Sequence, residues 1–267
     1  MTERIPAPAP GVYPGVPHEV YRSWDAVCQS DLKRLQKSPA HLQAYWADPP
    51  AQTPAMRLGT AFHAYLLDSS EVFAKSYAIA PCGLDKRTVA TIHGMAESLF
   101  NNPAIFRVTQ GLSLVPHQNE VSIVFRCDGG DFTKNGTILC KGRLDMIRET
   151  GPDSWTIVDP KTTTDASPEN FGKAAFNLGY HIQAAFYLWG CASLGLSVDK
   201  FLFAAVEKTP PYASAVYELD EDFLSLGWME VRRLLDLYAE CTRTNTWPGY
   251  PPEPVTLSPP AWATKGL

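Results

Sequence analysis

Between residues 30 and 101, three stretches carry apolar residues at the spacing that is typical of helices. Residues 30–46 begin with a Ser-Asp pair that suits a helix start, and apolar side chains then recur every three or four positions. Ser38-Pro39 interrupts this stretch, and because a residue before proline disfavours the helical conformation, two short helices are predicted. Residues 54–68 and 88–101 predict two further helices.

After residue 120 the pattern changes to short apolar runs bounded by turn residues, which is typical of β-strands. Three successive strands are predicted at 121–127, 137–147 and 154–161, and the turn-rich segments between them predict antiparallel hairpins. The remaining predicted elements are a long apolar helix over 173–194, strands at 201–207 and 215–220, and a helix over 221–243. This order predicts an α/β (α+β mixed) fold, with a central mixed sheet flanked by helices.

The composition is that of an ordinary globular protein. Hydrophobic residues make up 45% of the 267 positions and charged residues 19%. We therefore predict a single domain over residues 1–267. The 23 prolines cluster near both ends, so 1–20 and 246–267 are predicted to form Pro-rich extended arms.

Charge and cysteine usage narrow the class of protein. A net charge of −5 disfavours a protein that coats nucleic acid through bulk charge, but it leaves room for a local basic channel. The six cysteines form no CxxC pair and no zinc-site spacing, so free thiols are expected, with Cys127 and Cys140 buried in strands. No apolar run could span a bilayer and no signal-peptide pattern is visible, so a cytoplasmic protein is predicted.

Acidic residues fall at mirror-related positions of the two predicted hairpins. Asp145 and Asp159 are equally far from the centre of the turn ETGPDS, so a symmetric hairpin places them opposite each other on one face. The midpoint of Glu120 and Asp145 falls in the loop GGDFTKNG, so symmetric pairing there adds Glu120 to the row, whereas an off-centre turn would displace it. Lys161 shares the face of Asp159 because the two are two residues apart.

Three carboxylates in one row repel each other unless a cation lies between them. Mg²⁺ prefers oxygen ligands and is common at phosphate-handling sites, and Pro160 keeps a carbonyl oxygen that could serve as a further ligand. Lys161 would then lie beside the ion, where it could hold or deprotonate a water molecule. The pattern predicts a metal site on a sheet edge, and the alternative is a solvent-exposed hairpin with ordinary ion pairs.

The segment Asp145…Asp159-Pro160-Lys161 resembles the PD-(D/E)xK nuclease signature in the form D…D-x-K. Other segments are similar to RecE-like (exonuclease VIII-type) exonucleases of phages and prophages. They are SDLKRLQKSPAHLQAYWADPPAQTPAMRLGTAFHAYLLD, CKGRLDMI, IVDPKTTTDASPENF, YHIQAAFYLWG and FLFAAVEKTPPYASAVYELD. The resemblance runs over residues 18–250 and implies a restriction-endonuclease-like PD-(D/E)xK core, although the segment 82–92 is shorter than expected for these relatives.

The resemblance implies a metal-dependent reaction and gives roles to the matching residues. Asp145, Asp159 and the backbone carbonyl of Pro160 would hold Mg²⁺, for which Mn²⁺ could substitute. Lys161 would be the catalytic amine. Glu120 would lie on the first strand near a second metal.

Three further residues receive roles from the resemblance alone. His63, in GTAFH, would face the metal site from a helix and join its ligands. Gln183 and Tyr187 lie on one helix face, four residues apart, and would contact DNA near the scissile phosphate. Without the resemblance, a half-buried structural histidine and ordinary helix packing explain these residues equally well. Four other histidines are interpreted as structural: His41, His93, His117 and His181.

The implied activity is Mg²⁺-dependent 5′-to-3′ digestion of duplex DNA, which leaves 3′ single strands for annealing-type phage recombination. The resemblance also implies a homo-oligomeric ring that threads the duplex, and a partner single-strand annealing protein of the RecT/Beta-like kind, in the cytoplasm of a bacterial host. A ring needs positive charge only along its channel. The candidates for that lining are Arg57, Arg143, Lys173, Lys33, Arg34 and Lys37.

Two alternatives stay open from the sequence. One is a Cas4-like or RecB-like nuclease of the same fold. Several such nucleases hold an iron–sulfur cluster through clustered cysteines, which the scattered cysteines here disfavour. The other is a non-catalytic DNA-end-binding protein that has kept the fold, which the intact Asp145, Asp159 and Lys161 disfavour.

Overall fold

A computed structural model describes residues 4–67, 84–109, 119–127 and 137–259. The predicted loop GGDFTKNG, residues 82 and 83 of the shorter segment 82–92, and His117 fall outside these ranges. The described helices are α1 (His18–Ser23), α2 (Gln29–Lys37), α3 (Pro39–Ala47), α4 (Pro54–Leu67), α5 (Lys86–Phe100), α6 (Pro103–Thr109), α7 (Pro168–Asn177), α8 (Tyr180–Ser193) and α9 (Glu221–Thr244). The described strands are β1 (Ile5–Pro6), β2 (Gly11–Tyr13), β3 (Trp24–Asp25), β4 (Val27–Cys28), β5 (Asn119–Cys127), β6 (Ile138–Gly151), β7 (Ser154–Thr163), β8 (Ser197–Glu207) and β9 (Ser214–Glu218).

The central sheet is mixed, as the sequence predicts. Its strand order is β2-β5-β6-β7-β8-β9, and β4 joins it by pairing with β6. β5, β6 and β7 form the predicted antiparallel hairpins, whereas β7 pairs with β8, and β4 with β6, in parallel. The parallel β7–β8 connection is long because α7 and α8 lie between the two strands.

Helices cover both faces of the sheet. One core cluster joins α2, α3, α8 and α9 to one face, with Leu32, Leu42, Phe186 and Leu234 fully buried. A second cluster packs α4 and α5 against the other face. β8 contributes Phe201, Phe203 and Ala205 to the first cluster and Leu202, Ala204 and Val206 to the second. This alternation is what a strand buried on both faces requires.

The α2–α3 break follows the predicted Ser38-Pro39 interruption. Ser38 is the N-cap of α3, where its hydroxyl accepts a hydrogen bond from the backbone N–H of His41, and Pro39 occupies the first helical position. α2 itself begins with a capping box in which Asp31 accepts a hydrogen bond from the backbone N–H of Cys28.

The predicted single helix over 173–194 is wrong. The structure has two helices there, α7 and α8, which end and begin around Leu178 and Gly179. Gly179 adopts φ 70°, a left-handed conformation that interrupts the helix and that glycine adopts at little cost. The break changes the direction of the chain, so that Tyr180 becomes the first residue of α8.

The two Pro-rich ends pack against the body of the protein. β2 lies in the predicted N-terminal arm and pairs with β5, and α1 begins at His18 within that arm. At the other end, the carbonyl of Pro248 accepts a hydrogen bond from the backbone N–H of Ala40. The arm over 1–20 is therefore partly regular structure. Within the described ranges, no helix is both long enough and apolar enough to cross a membrane.

The described cysteines are free thiols, as predicted. Cys127 and Cys140 are fully buried, with their Sγ atoms 3.4 Å apart. Cys191 and Cys241 are buried as well, and Cys28 is half-buried at the start of α2.

Gly227→Ala is expected to lower the free energy of unfolding by about 2–3 kcal/mol, the cost of overpacking a close helix contact. A Cβ at Gly227 would lie 2.3 Å from the carbonyl oxygen of His181 and 3.0 Å from the Cβ of Ala185, so α9 and α8 would have to move apart. Urea unfolding measures the change. Gly172→Ala is the control, because a Cβ at this α7 position meets nothing within 4 Å. It should raise stability by about 0.5–1 kcal/mol. Equal effects of the two variants would contradict the packing argument.

Candidate active site

The site lies at the point along β6 where the paired neighbour changes from β4 to β7. The first half of β6 pairs with β4, up to Cys28 opposite Lys141, and its second half pairs with β7, from Met146 opposite Val158. Continued by one position, the β6–β7 register places Asp145 opposite Asp159, in agreement with the predicted symmetric hairpin. The predicted sheet-edge location is wrong, because β6 and β7 are central strands and the acids lie at the fork between them.

Glu120 occupies the predicted register opposite Asp145, and its carboxylate is paired with a neighbouring cation. The pairs on either side, Asn119 with Met146 and Val121 with Leu144, place it opposite Asp145. Its backbone has φ 52°, and its carboxylate forms an ion pair with Arg143. The positive charge of Arg143 therefore reduces the repulsion between the Glu120 carboxylate and the other two acids.

Asp159 is the most deeply buried acid of the site, with 1% of its surface exposed. Gln183 on α8 donates from Nε2 to its Oδ2 at 2.5 Å. Its Oδ1 forms an ion pair with Lys161 but has no hydrogen bond of good geometry. Gln183 therefore reaches a carboxylate of the site, and not only the helix surface.

Asp145 lies close to His63 on α4, whose Nδ1 is 3.3 Å from its Oδ2. The His63 ring also hydrogen-bonds the backbone carbonyl of Pro160. Burial and the charge of Lys161 lower the pKa of His63, so the ring is neutral at pH 7. Burial, and then the charge of Asp159, raise the pKa of Asp145 well above its usual value.

Lys161 stays charged although its side chain is only 16% exposed. Burial lowers the pKa of its amine, but the charges of Asp159 and Asp145 outweigh that effect and the net shift is upward. The Nζ atom also lies 5.0 Å from the ring centre of Tyr180 and 5.8 Å from that of Phe203.

Tyr187 is buried at the site and approaches β6 through Gly142. A Cβ at Gly142 would lie 3.1 Å from ring atoms of Tyr187, so the glycine of CKGRLDMI makes room for this ring. The hydroxyl hydrogen-bonds the backbone of Arg143. Burial, and then the charges of Asp145 and Asp159, raise the pKa of Tyr187 well above its usual value.

The six predicted DNA-contacting cations differ in their burial and in their partners. Arg143 is engaged inside the fold, where it contacts Glu120, Ser122 and the carbonyl of Val16. Lys33 is exposed on α2, and partial burial of its amine, followed by the charge of Lys161, lowers its pKa. The other four lie on exposed or half-exposed surface: Arg34 over the ring of Tyr45, Lys173 paired with Glu169, and Arg57 and Lys37 at the ends of their helices.

A cavity of about 1210 Å³ opens beside Asp145. Its inner end is lined by Glu120, Arg143, Asp145 and Tyr187, and its outer end includes Arg22, Tyr45 and Trp46. The sequence analysis predicted no site role for Arg22, Tyr45 or Trp46, and the predicted arm over 1–20 hid the start of α1 at His18.

Lys141 fixes this N-terminal wall of the cavity. It is buried, and its ammonium donates to the carbonyls of Tyr21, Arg22 and Trp24 at 2.9, 3.2 and 2.6 Å. Lys141, Arg143 and Asp145 occupy alternate positions of β6, and this spacing was the signal in the sequence that all three side chains belong to one region.

The carboxylates of Asp145 and Asp159 fit a hard divalent cation. Within the described ranges, no group of three or more His, Cys, Asp or Glu side chains is arranged to hold a metal ion. Two observations nevertheless match a cation: the register places Asp145 opposite Asp159, and burial together with the charge of Asp159 raises the pKa of Asp145. Paired carboxylate oxygens are the donor type that Mg²⁺ prefers.

A mixed sheet whose central strands bring together Asp145, Asp159 and Lys161 defines a protein of the PD-(D/E)xK class. The model of one protein family, the PDDEXK-like domain of unknown function (DUF3799), matches residues 28–253. The chain belongs to this family. The predicted fold class and the resemblance to PD-(D/E)xK nucleases are thereby confirmed, and the class supports a nuclease.

Comparison with solved structures agrees on the fold. The crystal structure of a provisionally named exonuclease from Eubacterium rectale superimposes with a TM-score of 0.60. The two share 15% sequence identity, and the match covers 91% of this chain and 94% of the other. A second solved structure, at 16% identity over 83% of this chain and 77% of its own, has a TM-score of 0.40, too low to support an argument. No curated protein matches significantly.

Proposed function

We propose that this chain is a Mg²⁺-dependent exonuclease that hydrolyses one strand of duplex DNA from its 5′ end. The observation that carries the proposal is the placement of Asp145, Asp159 and Lys161 at the fork of β6 and β7, within a fold of the PD-(D/E)xK class. Support for action at DNA ends comes from the RecE-like segments of the sequence and from the exonuclease name of the similar solved structure.

Asp145 and Asp159, with the Pro160 carbonyl, would hold the divalent ion. When bound, that ion supplies Lewis-acid activation of a water molecule and stabilisation of charge on the leaving oxygen. Gln183 holds the carboxylate of Asp159 through its hydrogen bond to Oδ2, so that the other oxygen stays turned toward Lys161. His63 hydrogen-bonds the Pro160 carbonyl and lies 3.3 Å from Asp145, so it packs against two of the proposed ligands.

Lys161 is the group that would handle the proton of the attacking water. Its amine lies beside Asp159 and is largely shielded from solvent. As an ammonium it orients the water and balances the charge of the phosphate. After giving its own proton to solvent, the amine would take the proton of the attacking water as the new P–O bond forms. The P–O bond to the leaving oxygen would then break, and solvent would protonate that oxygen. Tyr187 and the cavity beside Asp145 would contact the DNA strand next to the scissile phosphate.

The proposal extends to assembly and partners on the strength of the sequence resemblance. A ring of several copies would let an acidic chain enclose DNA, because only the channel needs positive charge. The 3′ strand left by the enzyme would be the substrate of a single-strand annealing protein. Mg²⁺ would be the natural ion, with Mn²⁺ as a substitute.

The test uses one linear duplex labelled at either the 5′ or the 3′ end of the same strand, and the same sequence as a closed circle. In Mg²⁺ we expect early release of the 5′ label as short products, later loss of the 3′ label, and an intact circle. EDTA should stop all degradation. Degradation of the circle at the rate of the linear duplex would exclude an end-dependent enzyme, and equal degradation with and without EDTA would exclude metal dependence.

A further inference from the structure

The amine of Lys161 lies between a carboxylate and two aromatic rings. It forms an ion pair with Asp159 on its own strand. On its other sides, the Tyr180 ring centre is 5.0 Å and the Phe203 ring centre 5.8 Å from Nζ. Both distances are within the range of a cation–π interaction. The interaction gains strength here because the side chain of Lys161 is largely removed from water.

The backbone fixes both rings relative to the acids. Phe203 pairs with Asp159 in the parallel β7–β8 register. The backbone of Phe203 is therefore fixed relative to the strand that carries the carboxylate. Tyr180 is held at the first position of α8 by the left-handed Gly179. The two rings stack at 5.4 Å with planes 22° apart. Phe171 on α7 contacts both rings, at 6.0 and 6.4 Å.

We propose that Tyr180 is a positioning residue: its ring, supported by Phe203, holds the Lys161 amine where it can act on the attacking water. The inference rests on the proposed function of Lys161 and adds a residue that neither the motif nor the family match assigns. The ammonium of a lysine is carried on a flexible four-carbon chain. An ion pair alone therefore leaves the ammonium free to turn about its carboxylate partner. A ring on the opposite side removes that freedom.

Because the amine lies over the Tyr180 ring, Tyr180→Phe should preserve the contact and Tyr180→Leu should remove it. A purely structural role in the aromatic cluster is the competing explanation. Tyr217→Leu is the matched control, because the Tyr217 ring belongs to the same cluster but stacks on Phe171, at 4.8 Å. Thermal unfolding of the three variants shows how much each change destabilises the fold.

The first measurement does not depend on catalysis. Proton–carbon NMR of ε-labelled lysines, in EDTA and without DNA, reports the ring-current shift of the Lys161 ε-methylene, which is assigned with Lys161→Ala. We expect the shift in the wild type, Tyr180→Phe and Tyr217→Leu, and a large reduction in Tyr180→Leu. An unchanged Lys161 signal in Tyr180→Leu would overturn the proposal.

The second measurement separates positioning from structural support. Tyr180→Leu should lower kcat on linear duplex DNA by about tenfold with little change in KM, as expected when a catalytic group is misplaced. Tyr180→Phe should restore the rate, and Tyr217→Leu should resemble the wild type. Added to Lys161→Ala, Tyr180→Leu should cause no further loss. Equal losses in Tyr180→Leu and Tyr217→Leu, or a full additional loss in the double variant, would show a structural role. If the wild type hydrolyses no DNA, the proposed function fails, and the NMR result still decides whether Tyr180 holds the amine.

Discussion

Lys161→Ala is expected to lower the rate of DNA hydrolysis by about a thousandfold, in the middle of the range for losing a proton-transferring side chain. The amine is the cation beside Asp159, and the charges of Asp159 and Asp145 raise its pKa against the opposing effect of burial. Its removal takes away the group that orients the attacking water. Binding of DNA ends, measured by fluorescence anisotropy in Ca²⁺ or EDTA, should change by less than about threefold, because the contact is made at the reacting atoms.

Lys200→Ala is the control for lost positive charge. Lys200 on β8 is 55% exposed and paired with Glu218, so its loss changes the net charge of the protein equally. Its rate should stay within about twofold of the wild type, because exposed ion pairs contribute little. Single-turnover measurements on a 5′-labelled duplex give the chemical rate directly. A Lys161→Ala rate within a few-fold of the wild type would show that Lys161 takes no part in the mechanism. It would also remove the observation on which the proposed function rests.

The register of the site could be predicted because hairpins are local. A short turn fixes which residues face each other, so the distances of Asp145 and Asp159 from one turn were enough to align them. The same arithmetic placed Glu120 opposite Asp145 across a longer loop. It could not show that the Glu120 backbone takes a left-handed conformation and that the carboxylate turns to Arg143, since both depend on side chains of a different strand.

The cavity wall could not be predicted because it is built from non-local contacts. β4 has two residues, too few for any periodic pattern, and it is ordered by parallel pairing with the first half of β6. Lys141 holds the end of α1 through carbonyl oxygens, which carry no sequence signal. The α7–α8 break was missed for a related reason. A single glycine in a strongly apolar helical pattern is tolerated in many helices, and only its φ of 70° shows the interruption.

Asp145→Asn is expected to affect activity and stability in opposite directions. Loss of one of two ion-binding carboxylates should lower hydrolysis by about a thousandfold, which corresponds to the several kcal/mol that a metal ion contributes to transition-state stabilisation. In EDTA the same change should stabilise the fold, because Asp145 is a largely buried acid that faces Asp159. The asparagine is isosteric and keeps a side-chain oxygen for His63, which lies 3.3 Å from the carboxylate.

The sign of the stability change follows from the raised pKa of Asp145. Between its unfolded pKa, near about 3.9, and its higher folded pKa, the native state holds a proton that the unfolded state has released, so wild-type stability falls as pH rises through this window. Asp145→Asn has no such proton, and its advantage in EDTA should therefore grow from pH 4 toward the folded pKa and then level off. Urea unfolding at a series of pH values measures the difference between the two proteins.

Divalent ions should reverse this order if the two carboxylates hold one. Mg²⁺ or Mn²⁺ binds the native state of the wild type, so its melting temperature should rise with ion concentration, whereas Asp145→Asn should respond weakly. Ca²⁺ serves as a non-catalytic hard cation in the same titration. A bound ion would offset the repulsion between Asp145 and Asp159 that weakens the ion-free fold. Loss of Asp145 removes both this repulsion and the stabilisation by the ion. A wild-type melting temperature that ignores all three ions, or an Asp145→Asn variant that is less stable than the wild type in EDTA at pH 7, would contradict a shared cation site at the β6–β7 fork.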